Sequence, residues 1–459
     1  MPVHAIDSFL RAQSFSQAAK VIWDDRTTLQ RWLDVEAALA QAQAELGLIP
    51  AAAALEIRRQ ARVELFDTGR LAEEVRFTQH PLMPVLSQFA ALCAGDAGGY
   101  LHWGATTQNI LDIAAVLQLR ETHTATLAHL AAMCARLSAL VGEHRSSLMA
   151  GRTHGQHALP MTFGFKAAAW LSELSRQSER LRTCEPRVFV ASLGGAIGTL
   201  ASMGEGGLRV QARLAELLNL GAALIPVRTA ADGFAEYIGV QGLLMSTLEK
   251  IAQDIVLMQR SEIAELEEPF YPGKIGSSTM PQKRNPTRCQ GVISLSRLVR
   301  SRVGVALEAN VQGDEGDAAA SATFETILGE CAVLTQSGCE TMQFVLGGLR
   351  VFPERMRANL AHSEGLLLAE AVMMTLAPLT GRLAAHEVVH HAAIDSATGA
   401  AFREAVLSHP LVIGRLDRAA LEAALDPQAY LGVTQEVIDR ILQLSAAALD
   451  REVIGTAAR

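Results

Sequence analysis

Residues 244–258 read Leu244-Met245-Ser246-Thr247-Leu248-Glu249-Lys250-Ile251-Ala252-Gln253-Asp254-Ile255-Val256-Leu257-Met258, and their apolar spacing decides the fold class. Across residues 243–266, Leu244, Leu248, Ile251, Ile255 and Met258 recur at alternating steps of four and three, the stripe of an α-helix expected to end near Leu266. Segments 108–148, 161–184, 207–218, 290–308, 319–348 and 365–377 carry the same period. Residues 28–46 set Leu29, Trp32, Leu33, Leu39 and Leu46 on a helix that should stop at Gly47, with Pro50 beyond. Alternating β-branched runs are nearly absent, so the expected fold is mainly α.

Two breaks divide the chain. A glycine-rich stretch at 95–107 and Leu349-Arg350-Val351-Phe352-Pro353 imply an N-terminal helical domain (1–107), a central long-helix bundle (108–350) and a C-terminal helical domain (351–459). At 459 residues the chain exceeds one ordinary hydrophobic core. Hydrophobic content of 49% against 19% charged implies helices buried on several sides by partner subunits. A net charge of −8 excludes a nucleic-acid or anionic-membrane binder, since no basic excess exists to displace counterions. Six scattered cysteines (93, 134, 184, 289, 331, 339) without CxxC spacing read as reduced thiols of a cytosolic protein. Met1 to Leu10 shows no export signal, and no apolar run reaches about 18 residues. The expected location is the cytoplasm.

Downstream of the opening helix, Glu267 to Ser278 is rich in proline and glycine, and no helical period resumes until near Cys289. About 20 structureless residues in a compact helical protein usually form a functional lid. From 273 to 290 this stretch holds Lys274, Lys283, Arg284 and Arg288 and no acid, a patch suited to an anionic substrate. A solvated basic loop is the bland alternative.

The motif Gly276-Ser277-Ser278-x-Met280-Pro281-x-Lys283-x-Asn285-Pro286 resembles the signature loop of the fumarase/aspartase superfamily. Within it the chain looks most like the adenylosuccinate lyase and 3-carboxy-cis,cis-muconate cycloisomerase branch. The resemblance implies that Ser277 abstracts the proton beside a carboxylate. Lys283, Asn285 and loop amides would stabilise the resulting dianion, with Ser278, Met280 and Arg284 contacting substrate. Gln290 departs from the family's usual Glu.

Gly151-Arg152-Thr153-His154-Gly155-Gln156-His157 is similar to the family's second block. There His154 would be the general acid, and Thr153 and Gln156 would hold a carboxylate. Gly104-Ala105-Thr106-Thr107-Gln108-Asn109 looks like the first block, with Thr106, Thr107 and Gln108 as carboxylate ligands, although helix caps use the same residues. Thr78-Gln79-His80-Pro81 resembles the place where adenylosuccinate-lyase-like members put a second histidine, which would make His80 the assisting histidine; the alternative is a helix cap. The likeness runs nearly end to end, from Leu33–Ala40 to Ser363–Arg382. It implies a homotetramer with a core of roughly 20 helices and sites shared between subunits. It requires no cofactor and no metal.

Two other patterns compete. His386-Glu387-Val388-Val389-His390 reads as HExxH, the mark of a zinc hydrolase, but no suitable third ligand follows. Gly194-Gly195-Ala196-Ile197-Gly198 follows no βαβ unit, so these glycines more naturally serve close chain approach than nucleotide binding.

The substrate expected is a small dicarboxylate or tricarboxylate. The N-terminal Arg-Tyr pair of adenylosuccinate lyases is absent at Gln13-Ser14-Phe15-Ser16. The family's Arg-containing helix after the lid corresponds to Gly316–Ser321, and no Lys or Arg occurs between Arg302 and Arg350. A buried phosphate without such donors is costly. His154, which muconate cycloisomerases typically lack, favours cleavage of a C–N bond. The expected activity is therefore β-elimination from a small N-substituted aspartate, giving fumarate and an amine. The alternatives are the lactonising cycloisomerase, adenylosuccinate lyase and a non-catalytic structural homologue.

Overall fold

The computed structural model describes residues 5–394, 396 and 398–457, of which 5 and 446–457 as backbone only. Part of the stretch read for an export signal, residues 1–4, lies outside the described residues. The fold is mainly α. The principal helices are α1 (Asp25–Glu45), α2 (Met83–Leu92), α3 (Thr107–Glu143), α4 (Phe163–Val188), α5 (Asp232–Met258), α6 (Thr287–Ala309), α7 (Ala318–Gly347), α8 (Ala369–Thr380) and α9 (Arg382–Ile394).

Most of the segments with helical periodicity form helices, but α5 starts at Asp232, before the expected 243, and ends at Met258, short of the expected 266. Helix α1 starts with the Asp24 carboxylate accepting from Thr27 N–H at 2.7 Å. It ends at Gly47, where Leu48 N–H returns to Gln43 O at 2.8 Å. On α5 the stripe Leu244, Leu248, Ile251, Ile255 is fully buried. Helix α3 has an 18-residue window apolar enough to cross a membrane by length and composition. Its Asn109, Gln118, Thr122, His123 and Thr126 are nevertheless buried polar residues, and Gln118 donates to Ile22 O at 2.7 Å. Such side chains suit a helix packed inside protein.

Strands are few and short. Leu148–Thr153 (β1) and Gln156–Thr162 (β2) form an antiparallel hairpin with an irregularity between Ala150 and Arg152. Val190–Ala191 (β3) pairs parallel with Gly221–Ala222 (β4), and Leu266–Glu267 (β5) pairs antiparallel with Arg350–Val351 (β6). The hairpin was not expected, because its residues Met149, Gly151, His154 and Gln156 do not alternate in polarity.

Two compact units are present. The first comprises 1–129, 177–249 and 291–341. Its core gathers Leu33, Leu39, Ile57, Phe89, Ile113 and Val210, all buried. The second comprises 130–176, 250–290 and 342–459. It contains the hairpin, the signature loop and a helical core of Leu368, Val372, Leu376, Val388, Phe402 and Leu421.

Candidate active site

The non-helical stretch after α5 is longer than the spacing suggested, running from 259 to 286. One buried acid organises it. Glu268, 1% exposed, accepts from Lys274 Nζ at 2.8 Å and from the backbone N–H groups of Arg288 and Cys289 at 3.2 and 3.0 Å. A carboxylate at a helix N-terminus satisfies orphan donors and opposes the helix dipole. Glu268 thereby ties the entry of the loop to the start of α6.

The loop then closes on itself. Asn285 Nδ2 donates to Gly276 O at 2.8 Å. A Cβ at residue 276 would lie 2.2 Å from Lys283 O, so only glycine fits there. Ser277 is half-buried, and its Oγ accepts from Met280 N–H at 3.0 Å and Thr279 N–H at 3.3 Å. Two amides aimed at one hydroxyl oxygen favour its anionic form.

The cationic patch is smaller than the sequence suggested. Lys274 is a buried partner of Glu268, and Arg284 pairs with Glu267 at 2.9 Å and lies over the Phe270 ring. Arg288 lies over Phe344. The acids responsible, Glu267 and Glu268, stand just upstream of the window whose charge was counted. Of the four cations counted from 273 to 290, Lys283 makes no ion pair or side-chain hydrogen bond among the described residues. Lys283, Asn285, Met280 and Gln290 border a cavity of about 1080 Å³ that Arg260 and Arg355 also line. Ser278 is exposed.

The second block is the hairpin turn. Thr153 and Gln156 close it as paired residues, and His154 and Gly155 make the turn with φ of 53° and 79°. Positive φ at both central positions is the requirement of a type I′ turn. Glycine meets it freely, whereas a histidine there is uncommon. The imidazole is thereby presented to solvent at the tip. Behind it, Arg152 forms a bidentate pair with Glu265 (2.8 and 2.7 Å), whose carboxylate is 0% exposed and also accepts from Asn359 Nδ2 at 2.9 Å. This pair anchors the hairpin to the chain leading into the loop. His157, opposite Arg152 in the register, is half-buried and is held below the usual histidine range by burial and by Arg152. Among the described residues of one chain, no hydrogen bond joins residues 153–156 to 276–286.

The first block and His80 belong to the first unit. His80 Nδ1 accepts from Met83 N–H at 3.1 Å, which makes it a cap of α2. Its proton is thus left on Nε2, which lies 3.4 Å from Thr107 Oγ1. Cap and site neighbour are the same residue. Asn109, 1% exposed, receives Thr106 N–H and Gly195 N–H on Oδ1 and donates to Ser192 O, so it joins the first block to the glycine run. The glycines serve close approach: a Cβ on Gly194 would meet Pro226 O at 1.8 Å. Gln108 donates to Asp112 at 2.8 Å and Glu325 at 3.2 Å.

On α9, His386 and His390 stack with 5.7 Å between ring centroids. No group of three His, Cys, Asp or Glu side chains is gathered for a metal among the described residues.

Sequence reasoning passed over Glu268, Glu265, Arg152 and Asn109. Each acts through partners distant in sequence, and only the Glu267-Glu268 doublet offered a signal.

Known proteins carry the same architecture. A family described as lyase matches residues 5–300, and one described as adenylosuccinate lyase C-terminus matches residues 365–441. The chain is 40% identical to an adenylosuccinate lyase of Methanothermobacter thermautotrophicus, over 93% of this chain and 96% of that protein. It is 38% identical to an N-acetyl-S-(2-succino)cysteine lyase of Enterococcus italicus, over 96% and 97%. The solved β-carboxy-cis,cis-muconate cycloisomerase of Acinetobacter calcoaceticus superposes with a TM-score of 0.86 at 32% identity, covering 94% of this chain and 98% of that one. The chain therefore belongs to the fumarase/aspartase superfamily of lyases, among its adenylosuccinate-lyase-like members.

Proposed function

We propose that the protein eliminates an amine from a small N-substituted aspartate and releases fumarate. The observation carrying this reading is the Ser277 hydroxyl, held by two amide N–H groups in a loop where Lys283 has no ion-pair partner. In the step, Ser277 acts as the alkoxide that the two amides favour, its hydroxyl proton having gone to solvent, and takes the proton from the carbon beside a carboxylate to become the hydroxyl again. Lys283 and the loop amides offset the charge gathering on that carboxylate. The C–N bond then breaks, its electron pair stays on nitrogen, and His154 supplies the proton that nitrogen needs. His80, with Nε2 toward Thr107, assists. Thr106, Thr107, Gln108, Thr153, Gln156, Ser278, Met280 and Arg284 form the substrate's surroundings, Arg284 after leaving Glu267. No metal or organic cofactor takes part in this scheme.

The named relatives act on nitrogen and sulfur adducts, and His154 distinguishes the two. An amine leaves only when protonated, whereas a thiolate, with a thiol pKa of about 8.5, leaves with little help. His154→Asn is expected to lower kcat/KM for an N-adduct by about 10²–10⁴-fold and for an S-succinyl thiol far less. Equal losses on both would remove the acid role. Lactonisation is the second reading, supported by the cycloisomerase likeness. Absorbance at the fumarate band, followed with aspartate adducts, S-succinyl thiols, adenylosuccinate and 3-carboxymuconate, separates these. Consumption of muconate alone would reject the elimination reading.

The working form we propose is a cytoplasmic homotetramer whose subunits share sites. Leu243 on α5, with Leu298 and Leu307 on α6, expose apolar side chains that a partner would cover. None of the six cysteines forms a disulfide, in keeping with a reducing compartment. Native mass spectrometry should give four chains; a monomer active at nanomolar concentration would contradict shared sites.

A further inference from the structure

Arg228 is the unexplained cation of the first unit. Its Nε is buried and meets no hydrogen-bond acceptor, and its guanidinium forms no ion pair among the described residues. The group lies over Gly316: a Cβ built there would sit 1.9 Å from a terminal guanidinium nitrogen and 2.2 Å from Nε. Any side chain at 316 would evict the arginine. No Lys or Arg occurs from 303 to 349, so Arg228 brings positive charge to a segment that has none of its own.

Its electrostatic neighbour Asp112 stands on α3, just beyond the first block. Asp112, which receives Gln108, interacts electrostatically with Arg228 and with Glu325. Burial, with Glu325 adding to it, pushes the Asp112 carboxyl up to about 7, so this neighbour only partly neutralises the guanidinium at neutral pH. A half-buried guanidinium with its fork unused is a costly arrangement unless an anion completes it. A planar fork suits a carboxylate.

The two carboxylates of the succinyl half already have Thr106, Thr107, Thr153, Gln156, Ser278 and Lys283 as proposed ligands. We infer that Arg228, seated over Gly316, binds a carboxylate on the leaving half of the substrate and selects adducts of amino acids over adducts of uncharged amines. This rests on the proposed fumarate-releasing reaction. Arg228 is thus a specificity-determining residue outside the three blocks, and Gly316 is the space that admits it.

The test compares the aspartate N-adducts of glycine and of glycinamide, which differ only in that carboxylate. The wild-type enzyme should prefer the glycine adduct in kcat/KM. In Arg228→Ala the preference should fall by about 10–100-fold, the worth of one charge-assisted hydrogen-bonding group, with the loss mainly in KM. Gly316→Ala should show the same fall. Arg228→Gln serves as the reading if the alanine variant does not fold. A wild type without the preference, or variants that retain it, would overturn the inference while leaving the elimination intact. Absence of fumarate from both adducts and from the wider panel would instead remove the elimination reading, and this inference with it.

Discussion

Ser277→Ala is expected to lower turnover by about 10²–10⁴-fold, the usual worth of a positioned proton-transfer group, while the urea midpoint stays where it is. The hydroxyl supports the fold little: it is half-buried and accepts two loop amides at 3.0 and 3.3 Å. The loop keeps its other ties in the variant, namely Asn285 on Gly276 O, and Glu268 on Lys274 and the start of α6. Activity and folding should therefore separate. A serine is a weak base, so the amides that favour its anion are as necessary as the oxygen itself. Activity within tenfold of wild type would place the base elsewhere.

Glu265→Ala is the second large effect, and here stability and activity should fall together. Glu265 has no exposure, and its carboxylate holds Arg152 bidentately and Asn359 by a third hydrogen bond. Removing one partner of a buried pair strands the other, which costs about 3–5 kcal/mol. The lower end is expected, because the Arg152 side chain is 20% exposed and recovers some water. Arg152 lies in β1 two residues before His154, so loosening the pair also frees the hairpin tip. Urea denaturation should show the lost stability. Activity measured well below the midpoint should remain depressed on N-adducts in particular. Full activity in a destabilised variant would show that the pair serves the fold and not His154.

The sequence revealed some layers well and others poorly, for physical reasons. The α5 stripe was plain because a helix buries every third or fourth residue regardless of its partners. The 276–286 loop was plain because its glycine and its clamp lie within ten residues of each other. The β1–β2 hairpin was hidden, since its turn is His-Gly and its strands do not alternate. The cationic patch was overestimated because Glu267 and Glu268 fold back on Lys274 and Arg284, a contact that composition in a window does not capture. Glu265 with Arg152, and Arg228 with Gly316, join residues roughly 90–110 apart in sequence. Pairings of that range become visible only in three dimensions.

The central claim is proton transfer at the carbon beside a carboxylate, coupled to a C–N bond. Its most direct measurement runs the reaction backwards: fumarate and an amine with the enzyme in D2O, followed by NMR. The account predicts an N-substituted aspartate carrying one deuterium at the carbon next to the new C–N bond, formed by the wild type and not by Ser277→Ala. Fumarate left unchanged with every amine tried, alongside an enzyme that consumes 3-carboxymuconate, would contradict it.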